Sequence, residues 1–349
     1  MVRLSTGEQT SVKAARSPGR HADLLALGLV CAVLSAALVM VLVPEDVRGP
    51  QLSARVYPAH LARQIENPSA HGPSAGLGWN QPSDMAVLGG RWFVLDTGNN
   101  RILELDGRGA VRQALDRGGD ERLALKGAMA IASDGTYLYV ANSGASAVLV
   151  LTPDGDVVRS LPVGESGDRT PARPIGLAVA GNGDVLVSDA ANHRVQRYDR
   201  DGRLLWTAGG GHRSGGGEGF NAPGGLALDP AGNAYVVDIL NGRVVKLSPE
   251  GSFLREYGSL GDTAGALSRP KDVAIDSAGN VYVSDGLLAA VQVFSAAGDY
   301  RGFIGLKDPD DRDSGALFRA PAGLTIVGSS LYVVDRFASV FVLDLPAAE

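Results

Sequence analysis

Beyond residue 75 the apolar positions fall in short runs that recur at a near-constant interval. The most regular run is β-branched or aromatic and ends in Asp or Asn: Trp92 to Asp96, Leu138 to Asn142, Val185 to Asp189, Ala234 to Asp238, Val281 to Asp285 and Leu331 to Asp335. Successive end residues lie 46, 47, 49, 47 and 50 positions apart. A period in the forties with several strands per unit is the signature of a β-propeller, one unit per blade, so six units predict six blades.

Within a unit the strand signals keep a fixed order. An apolar strand opens just after Pro82, Pro174, Pro223, Pro270 and Pro321, while the second unit opens at Gly127-Ala128-Met129 without Pro. Proline is tolerated at the start of a strand and not in its middle, so it marks where this strand begins. A Gly/Asn/Asp turn then leads into the Asp-ending strand. A third strand of alternating apolar residues follows, and a second tight turn such as Pro153-Asp154-Gly155. The fourth strand is expected 15 residues after each marker Asp or Asn, at Val111, Val157, Leu204, Phe253 and Tyr300. In the sixth unit that count runs past the chain end, so the last blade lacks an outer strand. Counting back from Pro82 puts a substitute at Leu61–Ile65, a clasp that removes an otherwise open sheet edge.

The repeats resemble the NHL family in their Pro-Gly-Leu-Ala opening and in an Asp-x-x-Asn-x-Arg element. That element stands as Asp96/Asn99/Arg101, Asp189/Asn192/Arg194 and Asp238/Asn241/Arg243. The resemblance covers residues 61–345 and implies an all-β fold: a six-bladed propeller of four-stranded antiparallel blades, closed by an N-terminal strand. It says little about function, because propellers host unrelated activities. The amidating lyases that share the repeat carry zinc on His residues placed after the opening Pro. The matching positions here are Ser83, Ile175, Gly224, Lys271 and Ala322. No His stands among them, so neither a metal nor a cofactor is expected.

Residues 24–43 form an uncharged apolar stretch of 20 residues, long enough for one helix to span a bilayer. Arg3, Lys13, Arg16 and Arg20 precede it against a single Glu8, and Glu45 and Asp46 follow. The positive-inside bias predicts residues 1–22 as a cytoplasmic tail, 23–44 as a transmembrane signal-anchor, 45–60 as a spacer and 61–345 as a propeller outside the cytoplasm. A cleaved signal peptide is the competing reading, but Val41-Leu42-Val43-Pro44 is not a small-residue cleavage site. The lone Cys31 lies in the apolar stretch and forms no intramolecular disulfide. A net charge of −6 without a basic cluster argues against nucleic acid as a partner.

A residue that recurs in every blade answers first to the blade's own needs, so function is sought where the repeat is broken. The marker Asp and its Arg are expected to be structural, accepting backbone N–H groups and pairing with one another. His71 and His212 precede opposite blades and should not share a metal. Asp308 to Gly315 departs from the calcium-loop spacing, with Arg319 where the final Glu would stand, and reads as a solvated acidic loop. The Gly-rich run from Gly209 to Gly217 is an inter-blade crossover with no helix behind it to hold a phosphate.

Two departures remain. Blades 5 and 6 replace the polar loop with Gly286-Leu287-Leu288-Ala289-Ala290 and Arg336-Phe337-Ala338-Ser339. Leu287, Leu288, Arg336 and Phe337 would form an apolar partner patch, or else pack beneath the neighbouring crossovers. Asp84 and Asp272 replace the Gly that usually follows two after the opening Pro, and should stand near the channel mouth. There they would hold a cation or polar ligand, or bind turn amides. The sequence therefore reads as a membrane-anchored extracytoplasmic propeller that binds a protein, peptide or envelope polysaccharide. The alternative is a lyase- or lactonase-type enzyme with a metal near the channel axis.

Overall fold

The computed structural model describes residues 55–66, 78–116, 120–165, 168–210, 213–214, 219–308, 311–337 and 339–346. The apolar stretch 24–43, Cys31, His21, His71 and His212 lie outside them. Among the described residues no helix is long and apolar enough to cross a membrane.

The chain forms a clasp strand and then six repeats of four strands. The clasp is β1 (His60–Glu66), and blade 1 is β2 (Asp84–Leu88), β3 (Arg91–Asp96), β4 (Arg101–Leu105) and β5 (Val111–Leu115). Blade 2 is β6 (Ala130–Ser133), β7 (Leu138–Asn142), β8 (Ala147–Leu151) and β9 (Val157–Pro162). Blade 3 is β10 (Pro174–Val179), β11 (Val185–Asp189), β12 (Arg194–Tyr198) and β13 (Leu204–Ala208). Blade 4 is β14 (Pro223–Leu228), β15 (Ala234–Asp238), β16 (Arg243–Leu247) and β17 (Phe253–Tyr257). Blade 5 is β18 (Pro270–Ile275), β19 (Val281–Asp285), β20 (Ala290–Phe294) and β21 (Tyr300–Ile304). A hairpin of β22 (Leu306–Asp308) and β23 (Asp311–Ala316) precedes blade 6, which is β24 (Pro321–Val327), β25 (Ser330–Asp335) and β26 (Ser339–Asp344).

Each blade is an antiparallel sheet with its strands in sequence order, except the sixth, whose order is β1-β26-β25-β24. The clasp is thus real: β1 runs antiparallel to β26, with His60 opposite Asp344 and Glu66 opposite Ser339. The first strands of successive blades touch in order, and β2 touches β24, which closes the ring. All five expected fourth-strand starts coincide with the observed ones. In the acidic segment expected as a solvated loop, Asp308 ends β22 and Asp311 opens β23, the two strands of a hairpin.

The core lies in the seams between blades, and strand geometry explains why the marker runs are continuously apolar. Side chains alternate between the two faces of a strand, and in a propeller both faces meet a neighbouring blade. In β3, Phe93 and Leu95 pack with Leu138 and Val140 of blade 2. Trp92 and Val94 pack the other way, with Val340 and Val342 of blade 6 and Ile65 of the clasp. The same arrangement joins blades 2 and 3, 3 and 4, 4 and 5, and 5 and 6.

Candidate ligand-binding site at the channel mouth

The marker residues fasten the end of each second strand to the crossover that enters the same blade. Asp96 Oδ1 accepts the Asn80 N–H at 2.6 Å, while its Oδ2 takes Asn99 Nδ2 and Arg101 Nε, both at 2.8 Å. Asp189 and Asp238 repeat the pattern with Asn192/Arg194 and Asn241/Arg243. Asn142 does the same from blade 2, through Lys126 N–H and Ala124 O. In blades 5 and 6, where the Asn and Arg are missing, backbone donors replace them. Asp285 accepts from Ser268, Arg269, Leu287 and Leu288, and Asp335 from Arg319, Ala320 and Phe337. These groups are structural, since each buried carboxylate or amide oxygen finds its donors within the fold. His193 is a staple of the same kind, its Nδ1 accepting the Ala222 N–H of the next crossover at 3.0 Å. His60 lies exposed on the clasp.

The loop following the marker has one shape in blades 1 to 5, with a left-handed residue four positions on, at Asn100, Ser146, His193, Gly242 and Ala289. In blade 6 it is one residue shorter, Asp335 pairing with Ser339 where Asp285 pairs with Ala290. That shape assigns each loop position a direction. Three residues after the marker, the side chain points inward, where Asn99, Asn192 and Asn241 reach the carboxylate. Leu288 occupies this position in blade 5. It is therefore buried, packing with Ala290 and Phe303 and against Val56 and Leu306. The expected patch loses Leu288 for this reason. Two residues after the marker the side chain points out, and Leu240 is 50% exposed, Leu287 68% and Phe337 43%. Blades 1 to 3 carry Gly98, Gly144 and Ala191 there. Leu260, in the crossover above Gly242, is also exposed. Three consecutive blades thus present an apolar arc on one edge of the ring, and Leu240 and Leu260 are members the sequence reading did not include.

One residue after the marker, the side chain turns to the axis. Here Arg336 leaves the patch expected of it and joins the wall of the central channel, a cavity of about 760 Å³. Lys271 and Arg173 join the same wall. The inner strand of a blade begins at the edge where its second strand ends, as Pro270 opposite Asp285 and Pro321 opposite Asp335 show. These cations and the apolar arc therefore share one edge. Lys271 and Arg336 are half-buried, and none of the three side chains makes a hydrogen bond or ion pair with another described residue. Burial, then the charges of Arg336 and Arg269, bring the Lys271 ammonium down to about 8, with Asp285 only partly opposing. Burial also lowers Arg336. By contrast, Arg101, Arg194 and Arg243 all pair with marker carboxylates.

Asp84 and Asp272 also line the channel, where their carboxyls bind backbone amides of strands rather than of turns. Each accepts the N–H of the following blade's inner strand: Asp84 Oδ2 from Ile131 and Asp272 Oδ2 from Leu324, both at 2.8 Å. Asp84 Oδ1 takes the Met85 N–H. The preceding blade must leave room for these carboxyls. A Cβ on Gly225 would fall 2.0 Å from Asp272 Oδ1, and one on Gly323 would fall 2.5 Å from Asp84 Oδ1. Glycine at those two positions follows from this close approach. Removal from water raises Asp272 to about 7. Asp84 is pushed well up by burial and then by the charge of Asp272. Among the described residues no three His, Cys, Asp or Glu side chains converge to hold a metal.

Comparison with known proteins agrees with the ring. The NHL repeat family model matches residues 172–198, the entry into blade 3 through the end of its third strand. The chain is a six-bladed β-propeller, and its third blade matches the NHL repeat. No curated protein sequence matches it significantly. Among solved structures it is similar to a gluconolactonase from Xanthomonas campestris, at 17% identity and a TM-score of 0.57, covering 86% of this chain and 99% of that one. Virginiamycin B lyase from Staphylococcus aureus aligns at 11% identity and a TM-score of 0.54, over 81% of this chain and 99% of the lyase. A Bacteroides thetaiotaomicron protein of unknown function gives a TM-score of 0.61 at 12% identity, covering 81% of this chain and 76% of that one. Likeness at these identities establishes the fold and leaves the activity open.

Proposed function

We propose that this chain is a membrane-anchored, extracytoplasmic propeller that works as a binding module. Its partner is a peptide segment of an envelope protein, docked on the edge of the ring that carries the marker loops. The observation behind this reading is the apolar arc of Leu240, Leu287 and Phe337 at one repeat position on consecutive blades, beside an open channel mouth. Contiguous exposed apolar residues rimmed by polar ones mark interaction sites. Tethering through residues 24–43 would hold that edge near other envelope components. An envelope polysaccharide is the other occupant to be tested, and it would engage the polar rim rather than the arc. The lyase and lactonase neighbours speak for the ring only, and the described residues offer no convergent ligand set on which a metal-dependent reaction could rest.

The test changes Leu240, Leu287 and Phe337 together to Ser. Exposed side chains away from special features cost within about 0.5 kcal/mol each, so the melting temperature should hardly move. A partner cross-linked to the wild-type chain in membranes is then purified and titrated against both forms. Binding weakened at least about tenfold by the triple change, equivalent to about 1.4 kcal/mol, supports the arc. Equal binding moves the site elsewhere, and a melting point lowered by many degrees assigns these residues to the core.

A further inference from the structure

Two cations on the channel wall, Lys271 and Arg336, make no hydrogen bond or ion pair with another described residue, and Asp285 only partly offsets the charge around Lys271. By contrast, Arg194 meets Glu165, Asp168 and Asp189, and Arg243 meets Asp238 and Glu256. Lys271 and Arg336 stand on adjacent blades at the channel mouth. The carboxyls further along the wall are already engaged with backbone N–H groups of the next blade. Both cations are also departures from the repeat. The positions equivalent to Arg336 hold Thr97, Ser143, Ala190, Ile239 and Gly286, and those equivalent to Lys271 hold no other charged residue. The ring therefore does not need them.

We propose that the mouth beside Lys271, Arg336 and Arg173 receives a carboxylate carried on a short apolar body, such as a peptide terminus or acidic side chain of the partner. This rests on the reading that the partner docks on the same edge. Arg336 offers a planar fork of donors to the carboxylate and Lys271 a point charge. The apolar body meets the lining supplied by Met129, Ile175 and Ile239. An anion placed here removes the repulsion between the cations, so its binding draws a proton onto Lys271 wherever that group is partly neutral. Lys271 titrates near 8 in the empty channel, facing Arg336, Arg269 and Asp285. Affinity should consequently fall about tenfold between pH 7 and pH 9. Ionisation of Asp272 near 7 adds negative charge to the same cavity and acts in the same direction.

The full-length chain in detergent is titrated calorimetrically with hexanoate and with hexanol. N-acetyl-dileucine with a free carboxyl and its terminal amide form the second pair. The proposal expects an acid to bind and its neutral counterpart to bind at least about tenfold more weakly. Hexanoate alone binding identifies a small organic acid as the natural source of the carboxylate, and the dipeptide acid binding identifies a peptide. Lys271→Gln and Arg336→Gln should each reduce acid binding about tenfold without lowering the melting point, since each removes repulsion. Lys271→Arg should retain binding and lose the part of the pH dependence due to Lys271, with Asp272→Asn measured beside it. Neutral probes binding as well as acids, no binding of either acid at millimolar concentration, or undiminished acid binding in the Lys271/Arg336 double variant each overturns the proposal. Partner binding lost in the apolar triple variant but kept in the double charge variant leaves the docking edge standing and removes only the anion.

Discussion

Ile65 is where the clasp can be tested with one side chain. Six of the seven residues of β1 are exposed, and Ile65 alone is buried, at 8% exposure. It packs with Trp79, Trp92, Val340 and Val342. It also lies over Gly109 of blade 1, where an added Cβ would fall 2.7 Å from its Cδ1. The clasp therefore pairs with blade 6 through its backbone and grips blade 1 through this side chain. Ile→Ala in a core costs about 2–5 kcal/mol, and an edge position that can partly collapse belongs in the lower half, about 2–3 kcal/mol. For a domain of this size that corresponds to a melting temperature lowered by about 5–10 °C. The comparison is Arg63→Ala on the same strand, which loses one exposed hydrogen bond to Gly107 O at 2.9 Å and should change stability by no more than about 0.5 kcal/mol. Thermal unfolding followed by far-UV circular dichroism separates the two. Starting the chain at residue 70 instead of 50 removes all of β1 and exposes the β26 edge, so the loss should exceed that of Ile65→Ala. If Ile65→Ala melts with the wild type, or the two truncations melt together, the ring does not depend on its clasp.

Two further outcomes are expected. Asp272 titrates near 7 in the fold, above its ordinary range, so folding favours its neutral form. Its contribution to stability is full below the unfolded pKa and declines as pH rises through 7. Asp272→Asn, which keeps an acceptor for the Leu324 N–H, should flatten that decline between pH 5 and 8 and gain on the order of 1–2 kcal/mol at pH 8. Denaturant unfolding at several pH values checks it; equal pH dependence in both forms would show the carboxyl to be ionised throughout. For topology, a reporter fused after Glu349 should be active only outside the cytoplasm, with the chain retained by salt-washed membranes. Recovery of a mature species starting near residue 44 would instead show a cleaved signal.

Most of the ring was legible because each blade solves the same burial problem with the same residues. Strands covered on both faces read as unbroken apolar runs, and the marker Asp at their ends has a single structural task. The clasp was legible only by counting. With one buried residue in seven it has no apolar alternation, and nothing but the missing outer strand of blade 6 announces it. The β22–β23 hairpin was not legible, since it pairs only with itself and its polar sequence follows no repeat. Of the two alternatives open for Leu288, packing beneath a neighbouring crossover is the one realised, against Leu306. The Asn99, Asn192 and Asn241 side chains occupy the same position and reach an inward-facing carboxylate, which already marks that position as inward.

The same position-by-position logic locates the candidate site. Blades 1 to 5 repeat the marker-loop backbone so closely that a loop position keeps one direction across them. Departures at an inward position can be absorbed by the core, as Leu288 is in the place of an Asn. Departures at the two positions that face the channel or the solvent have no core to absorb them. Lys271 stands one residue after an opening Pro and lines the channel. Arg336 also lines the channel, whereas the adjacent Phe337 is exposed. Arg173, Lys271 and Arg336 line the channel, and Leu240, Leu287 and Phe337 are exposed on three consecutive blades at the same edge. A structural role would require a partner or a cavity to fill. Lys271 and Arg336 have no partner among the described residues, and the arc fills none. The proposed ligand, apolar along its body and anionic at its tip, would give both a partner.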